Sequence, residues 1–129
     1  MPDVGRMKQA PNKTRVLVVD DDLAVCDALK FALELEGFCV ETCNSGADLL
    51  AGTPSADCLV LDYKMPGMDG LAVLAALTAR QVDIPTILIT APLTQSIVDA
   101  ARRAGVFCVL EKPLSDGVLL ENIRHAARV

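Results

Sequence analysis

Polar residues able to take part in catalysis or metal binding stand at the ends of short apolar runs in this sequence. The runs and the residues that end them are Val16–Val19 with Asp20-Asp21-Asp22, Cys58–Leu61 with Asp62, Ile87–Ile89 with Thr90, and Val106–Leu110 with Glu111-Lys112. Such runs are typical of strands covered on both faces. If the strands are parallel neighbours, their carboxyl ends meet at one edge of the sheet, where open α/β folds bind ligands. We therefore expect acids, a hydroxyl and an ammonium to converge at that edge.

The chemistry that this set of residues supports is phosphoryl transfer onto an aspartate. Asp20, Asp21 and Asp62 would be neighbouring like charges, an unfavourable arrangement without a cation. Clustered hard oxygen ligands suit Mg²⁺, and a carboxylate can act as a nucleophile that forms an acyl phosphate. Lys112 would offset the added negative charge, and the Thr90 hydroxyl could hydrogen-bond the phosphoryl oxygens. Any one of these residues alone could equally be the polar end of a strand, because acids commonly begin turns.

Strand and helix patterns alternate along the rest of the chain. The predicted strands are Val16–Val19, Phe38–Cys43, Cys58–Leu61, Thr86–Ile89 and Val106–Leu110. The predicted helices are Leu23–Glu36, a short helix ending at Ala51, Leu71–Arg80, a helix from Thr94 or Ser96 to Arg103, and a last helix after Ser115-Asp116. This alternation predicts an α/β fold with a parallel sheet wound on both sides. Its more polar composition places Phe38–Cys43 at the sheet edge.

The helix ends carry recognisable signals. Asp22, Asn44-Ser45 and Ser115-Asp116 are residue types that cap helix N-termini, and each precedes a predicted helix. One face of the last helix is expected to be apolar and buried, and it consists of Val118, Leu119, Ile123 and Ala126.

The composition fits one globular domain and excludes several classes of protein. Hydrophobic residues make up 52% of the 129 residues, and the formal net charge of -5 disfavours direct nucleic-acid binding. No apolar run reaches the roughly 18 residues of a membrane span, and residues 1–14 lack the apolar segment of a signal peptide. The cytoplasm is therefore the expected location. The five cysteines show no C-x-x-C spacing; free thiols in a reducing compartment are expected, with a metal site or redox switch as the alternatives.

Four motifs together resemble the receiver domains of two-component response regulators. They are Val18-Val19-Asp20-Asp21-Asp22, Leu61-Asp62-Tyr63-Lys64-Met65-Pro66-Gly67-Met68-Asp69-Gly70, Ile89-Thr90-Ala91 and Glu111-Lys112-Pro113. The resemblance extends over Arg15–Arg128. It implies a receiver domain at residues 15–129, preceded by a loose N-terminal tail at residues 1–14. The implied fold is a flavodoxin-like three-layer sandwich with a five-stranded sheet in the order 2-1-3-4-5.

The same resemblance assigns roles to individual residues. Asp62 would be the phosphoacceptor, and Mg²⁺ would be held by Asp20, Asp21, Asp62 and the backbone carbonyl of Lys64. The residues contacting the phosphoryl group and switching with it would be Thr90, Ala91 and Lys112. The Lys112-Pro113 bond is expected to be cis. The implied phosphodonor is a sensor histidine kinase or phosphotransfer protein, and the chain would be a switch that catalyses at most its own phosphorylation and dephosphorylation.

Two positions depart from the family pattern and bear on the conformational switch. Relatives usually carry an aromatic residue three positions before the lysine, where this chain has Val109, and Pro92 follows Ala91 in a loop that is often flexible. Because Val109 has stiff rotamers, we expect the signal to travel through the backbone of Ala91–Thr94. The face made by the fourth helix, the fifth strand and the last helix would then bind an output domain, a partner or a second copy of the chain.

Two other functions are compatible with parts of the sequence. A degenerate receiver would act only as a protein-binding module, although all the expected acids are present. A phosphatase of the haloacid dehalogenase type also uses an aspartyl phosphate, and Asp20-x-Asp22 fits its D-x-D motif. However, Ala24 replaces the usual threonine, and no acidic motif follows Lys112 on a further strand.

Overall fold

The computed structural model describes residues 13–128, with the side chain of Asp116 left aside. Its five strands are all parallel, in the order β2-β1-β3-β4-β5, which confirms the predicted topology. The strands are β1 Arg15–Val19, β2 Cys39–Cys43, β3 Cys58–Asp62, β4 Thr86–Thr90 and β5 Cys108–Glu111. The helices are α1 Leu23–Leu35, α2 Gly46–Leu50, α3 Gly70–Ala79, α4 Gln95–Arg103 and α5 Asp116–Ala127. Residues 1–12 of the predicted tail, and Val129, lie outside the described residues.

The sheet is the middle of three layers because helices cover both of its faces. On one face, α1 and α5 pack on alternate strand residues that include Val18, Val60 and Ile87. On the other face, α2, α3 and α4 pack on the intervening residues, such as Leu59 and Leu88. Successive strand side chains point to opposite faces, so the unbroken apolar runs supply both cores. β3 lies in the middle of the sheet and is buried at every position.

β2 is an edge strand, as predicted, and pairs only with β1 among the described strands. The N–H of Cys39 donates to the Thr14 carbonyl at 2.8 Å, so the backbone N–H and carbonyl groups of Cys39 point toward β1. Val40 has the opposite orientation, and its carbonyl accepts a hydrogen bond from Lys30 Nζ at 2.8 Å. The same ammonium lies 2.8 Å from Glu34 Oε2, one turn further along α1.

Several predicted boundaries and faces need correction. α3 begins at Gly70 rather than Leu71, and the Asp69 side chain caps it by accepting from the Ala72 N–H at 2.8 Å. β5 begins at Cys108 rather than Val106, because the Val106 N–H still closes the end of α4 through the Ala101 carbonyl.

The last helix also differs from its prediction. The Ser115 carbonyl accepts the first helical hydrogen bond, but its side chain makes no cap bond. Leu119, Ile123 and Ala126 are buried as expected, whereas Val118 is 45% exposed. Helical residues advance by about 100° each, so Val118 points to one side of the stripe formed by the other three.

Two findings concern membranes and cysteines. Between Lys13 and Arg128, no helix is both long enough and apolar enough to cross a membrane. All five cysteines are free thiols. Burial raises the pKa of Cys58 to about 12, with smaller contributions from Cys108 and Asp57, so this thiol stays protonated. Cys39 is exposed on the edge strand.

Candidate functional site

Three carboxylates meet at the carboxyl edge of the sheet. Asp20 directly follows β1, and Asp62 is the last residue of the neighbouring strand β3. One carboxylate oxygen from each of Asp20, Asp21 and Asp62 lies within 4.8 Å of the other two. Asp20 and Asp62 are buried, with exposed fractions of 4% and 5%, whereas Asp21 is exposed. Two of the carboxylates therefore sit inside the edge and one lies at its mouth.

Lys112 reaches this cluster from the end of β5. Its Nζ lies 3.3 Å from Asp62 Oδ1 and 3.4 Å from Asp20 Oδ2. The Lys112 backbone N–H donates to the Thr90 carbonyl at 2.9 Å, which fixes the lysine beside the end of β4. The Lys112-Pro113 bond is cis, as the resemblance implied, and the Ala91-Pro92 bond is also cis, which was not predicted.

The charges in this cluster do not balance. Burial raises the pKa of Asp62, the charge of Asp20 raises it further, and the contacts with Lys112 only partly offset these effects. Burial disfavours the charged form of Lys112, but the carboxylates of Asp62 and Asp20 outweigh this effect and raise the pKa of the ammonium. One ammonium among three carboxylates leaves excess negative charge, and a bound cation would relieve it.

The third aspartate of the first motif has a structural task. Asp20 Oδ1 accepts from the backbone N–H of Asp22 at 2.9 Å, which orients the buried carboxylate. The Asp22 side chain turns the other way and caps α1, accepting from the Ala24 N–H at 2.9 Å and the Val25 N–H at 3.3 Å. Asp22 is therefore engaged at the helix N-terminus, as its residue type predicted.

The segment after Asp62 is folded tightly against the strand end. The Gly70 N–H donates to the Tyr63 carbonyl at 2.8 Å and brings the first turn of α3 onto β3. A Cβ at Gly70 would lie 2.8 Å from the Asp62 carbonyl oxygen and 2.9 Å from Leu88 Cδ1, so only glycine fits without movement. Lys64 is exposed in this segment. The proposed role of its backbone carbonyl as a metal ligand stays a prediction.

The end of β4 carries the predicted hydroxyl. Thr90 is 2% exposed, and in the sheet it lies opposite Glu111 and next to the pair formed by Asp62 and Ile89. Ala91 is exposed and begins the loop to α4. A contact that sequence reasoning missed connects this loop to β5, because the Leu93 N–H donates to Glu111 Oε2 at 3.0 Å.

The position at which relatives carry an aromatic residue is Val109, a β5 residue on the side that faces α4. Val109 is partly buried against the core on the α2–α4 face. Beside it is a cavity of about 350 Å³, whose lining includes Val98, Ala101, Arg102 and Val109. Phe107, which directly precedes β5, is 47% exposed and also lines this cavity.

The parallel sheet in this order, with an acid cluster and a lysine at its carboxyl edge, defines a receiver-type α/β domain. Residues 16–124 match the family model of the response regulator receiver domain. The chain belongs to this family, and is thus the receiver domain of a two-component response regulator, a phosphoacceptor switch.

Similarity to individual proteins supports the same assignment. The chain is 35% identical over 123 residues to the C4-dicarboxylate transport transcriptional regulatory protein DctD of Pseudomonas aeruginosa, covering 91% of this chain and 26% of that protein. It is 34% identical over 118 residues to the transcriptional regulatory protein FixJ of Bradyrhizobium diazoefficiens, covering 90% of this chain and 58% of FixJ. The chain thus spans less than two thirds of either relative.

Solved structures agree on the fold. The structure of FixJ-N superposes with a TM-score of 0.82 at 34% identity, covering 91% of this chain and 95% of that one. A CheY-like receiver domain from Methanospirillum hungatei superposes with a TM-score of 0.84 at 28% identity, with the same two coverages. These likenesses extend over nearly all of the described residues.

Proposed function

We propose that Asp62 accepts a phosphoryl group from a sensor histidine kinase or a phosphotransfer protein. The observation that carries this proposal is the meeting of three carboxylates within 4.8 Å, with Lys112 Nζ 3.3 Å from Asp62. A carboxylate oxygen of Asp62 would form a bond to phosphorus while the bond to the donor breaks, and the departing group would keep the electron pair. Lys112 would neutralise charge on the phosphoryl oxygens, and the Thr90 hydroxyl and the backbone of Ala91 would hydrogen-bond them.

The donor set of the cluster fits Mg²⁺. Asp20, Asp21 and Asp62 offer hard oxygen ligands, and their excess negative charge makes a cation favourable there. The Lys64 carbonyl would complete the protein ligands. When bound, the ion would screen the negative charge of the acceptor and of the phosphoryl oxygens. The hydrogen bond from the Asp22 N–H holds Asp20 in place for this task.

No observation favours the two other functions. The Asp22 side chain caps α1, so it is not placed to act as the second acid of a dehalogenase-type D-x-D motif. A degenerate receiver would lack part of the acid cluster, whereas all three acids are present and close together. The chemistry proposed here is limited to the phosphorylation and dephosphorylation of the chain itself, and the cytoplasm is its proposed location.

Metal dependence provides the direct test of this function. With phosphoramidate as donor, we expect intact mass spectrometry to show one added phosphoryl group in the presence of Mg²⁺ and none in excess EDTA. Labelling that is equal with and without the metal would contradict the proposed role of the acid cluster. Sustained multiple-turnover hydrolysis of p-nitrophenyl phosphate would instead favour a phosphatase.

The donor protein requires a surface beside the acceptor. On α1, an exposed apolar stripe of Ala24, Ala28, Phe31 and Leu35 follows the three- and four-residue spacing of a helix–helix seam. Phe31 and Leu35 are 68% and 70% exposed. An adjoining apolar depression extends from this stripe to Lys112 and is lined by Val25, Ala28, Leu29, Lys112, Pro113 and Leu114. We infer that a helix of the phosphodonor packs on this stripe.

Replacing Phe31 with alanine should therefore separate docking from chemistry. We expect Phe31→Ala to slow phosphotransfer from a histidine kinase that phosphorylates the wild type by about tenfold, a typical loss for a truncated aromatic anchor. Labelling by phosphoramidate should not change, because this small donor needs no docking surface. The matched control is Phe107→Ala, which truncates an exposed aromatic just before β5. Equal transfer rates for Phe31→Ala and wild type would contradict the inferred surface.

A second surface, separate from the α1 stripe, is the proposed output surface. The face formed by α4, β5 and α5 exposes Phe107 at 47% and Val118 at 45%. Exposed apolar side chains on this face suit contact with an output domain, a partner or a second copy. The net charge of -5 supports a protein rather than a nucleic acid as the direct partner of this domain.

A further inference from the structure

A side-chain hydrogen bond joins the loop after β4 to the end of β5. The Leu93 N–H donates to Glu111 Oε2 at 3.0 Å, across 18 positions of sequence. Leu93 immediately precedes Thr94, whose side chain caps α4 by accepting from the Ile97 N–H at 3.2 Å. Glu111 therefore holds the loop at the point where α4 begins.

Glu111 is also adjacent to the site chemistry. It directly precedes Lys112, whose Nζ contacts both Asp62 and Asp20. It lies opposite Thr90 in the sheet, and the Thr90 carbonyl accepts the Lys112 N–H at 2.9 Å. Any shift of the lysine backbone toward a group on Asp62 thus also moves the attachment point of the Glu111 side chain.

Alternation along β5 places Glu111 on the same side as Val109, the side on which α4 packs. Val109 has no polar atom in its side chain and cannot hydrogen-bond the loop. Glu111 therefore supplies a polar connection to the loop from this side of β5. The connection is sensitive to distance, because a lengthening of roughly 0.5 Å takes it out of hydrogen-bond range.

We propose that Glu111 is a positioning residue that holds Ala91–Leu93 in the unphosphorylated arrangement and releases the loop when Lys112 moves to a phosphoryl group. This inference rests on the proposed phosphorylation of Asp62. In the structure Lys112 contacts the carboxylates of Asp62 and Asp20 themselves, as this inference requires of the unphosphorylated arrangement. A phosphoryl group on Asp62 would draw the lysine away from Asp20. The hydrogen bond from Leu93 would then break.

Hydrogen exchange of the Leu93 amide, measured by NMR without any phosphoryl mimic, tests the restraint itself. In Glu111→Ala the amide should exchange about tenfold faster than in the wild type, as expected for losing a hydrogen bond to a charged acceptor. Glu111→Gln keeps an acceptor without its charge and should lie between the two. Glu121→Gln removes an exposed charge on α5 and should leave the Leu93 amide unchanged. Equal exchange in Glu111→Ala and wild type would overturn the restraint.

Affinity for beryllofluoride, measured in the presence of Mg²⁺, tests whether the restraint opposes activation. If Glu111 favours the unphosphorylated arrangement, Glu111→Ala should bind this phosphoryl mimic about fivefold more tightly than the wild type. Val109→Ala and Glu121→Gln should stay within about twofold of the wild type. Unchanged affinity together with faster Leu93 exchange would show a merely local contact and overturn the proposal. Weaker binding would place the contact in the active arrangement and also overturn it.

The two experiments separate failure of this inference from failure of the proposed function. If the wild type binds no beryllofluoride and takes no phosphoryl group, the assignment of Asp62 fails, and the coupling assigned to Glu111 fails with it. If the wild type responds while Glu111→Ala behaves identically, only the role of Glu111 is wrong.

Discussion

Asp62→Asn should take no phosphoryl group from phosphoramidate or from a histidine kinase that labels the wild type. The variant keeps the shape of the side chain but replaces the nucleophilic carboxylate with an amide, which cannot form the acyl phosphate. Asp62 is the one acidic residue of β3, so no other carboxylate on this strand can take its place. Intact mass spectrometry with Mg²⁺ present would measure the loss directly.

The matched control is Asp83→Asn, which makes the same change at an exposed position before β4. This variant should be labelled to the wild-type extent. Labelling of Asp62→Asn at the wild-type level would show that the acceptor lies elsewhere and would remove the basis of the proposed function.

Asp62→Asn should also be more stable than the wild type when no metal is present. Burial and the charge of Asp20 raise the pKa of Asp62 despite Lys112, so the folded protein disfavours the ionised carboxylate. A neutral amide avoids this cost. We expect Asp62→Asn in EDTA to raise the free energy of unfolding by about 1 kcal/mol near pH 7, or the melting temperature by roughly 4 °C.

The pH dependence of this difference has a defined sign. With its raised pKa, Asp62 binds a proton more tightly in the folded protein than in the unfolded chain. The wild type therefore regains stability relative to the variant as the pH falls through the raised pKa, and the difference should narrow in acid. A difference that widened in acid would contradict the raised pKa. Urea titrations at several pH values would measure this difference, and Asp83→Asn should show no comparable gain in them.

Gly70→Ala should be strongly destabilising. The new Cβ would lie 2.8 Å from the Asp62 carbonyl oxygen and 3.1 Å from Tyr63 Cα, both backbone atoms that cannot move alone. Either α3 must shift or β3 must bend, and overpacking of this kind costs about 2–4 kcal/mol. We expect the melting temperature to fall by roughly 10 °C. Labelling of the folded fraction should also be slower, because the shift acts on Asp62 itself.

Gly117→Ala provides the contrast for this experiment. Gly117 lies in the first turn of α5, and a Cβ there would meet nothing within 4 Å. Alanine should therefore be neutral or stabilise the helix by up to about 1 kcal/mol. Equal melting temperatures for Gly70→Ala and wild type would show that the close approach of α3 to β3 is not rigid.

The sequence was most informative where one local pattern determined the outcome. Continuous apolar runs predicted the strands, and Asp22, Ser45 and Thr94 cap helices as their residue types suggested. The polar ends of the runs predicted which side chains share an edge, because parallel strands leave no other arrangement. The strand order came from the family resemblance rather than from these patterns, since sequence alone does not state which strands are neighbours.

Features that depend on distant parts of the chain were missed. The hydrogen bond from Leu93 to Glu111 joins the loop after β4 to the end of β5, and neither residue type predicts it. In the sequence Gly70 is typical of a turn. Glycine is required there because the Asp62 carbonyl oxygen and Leu88 Cδ1 leave no room for a Cβ. Val118 was assigned to the buried face because it is apolar, although its helical position turns it outward. These outcomes are set by tertiary packing and not by local propensity.

The hydrogen bond between Lys30 and the Val40 carbonyl affects the tendency of the protein to aggregate at high concentration. An edge strand offers unpaired backbone groups to any other extended chain, and runaway pairing of this kind leads to aggregation. On β2 the outward carbonyl of Val40 is already taken by the ammonium. A strand from another molecule would have to displace Lys30 from this carbonyl and would meet its positive charge at the outer edge of β2. One lysine on α1 thus protects the β2 edge of the sheet from pairing with a further strand.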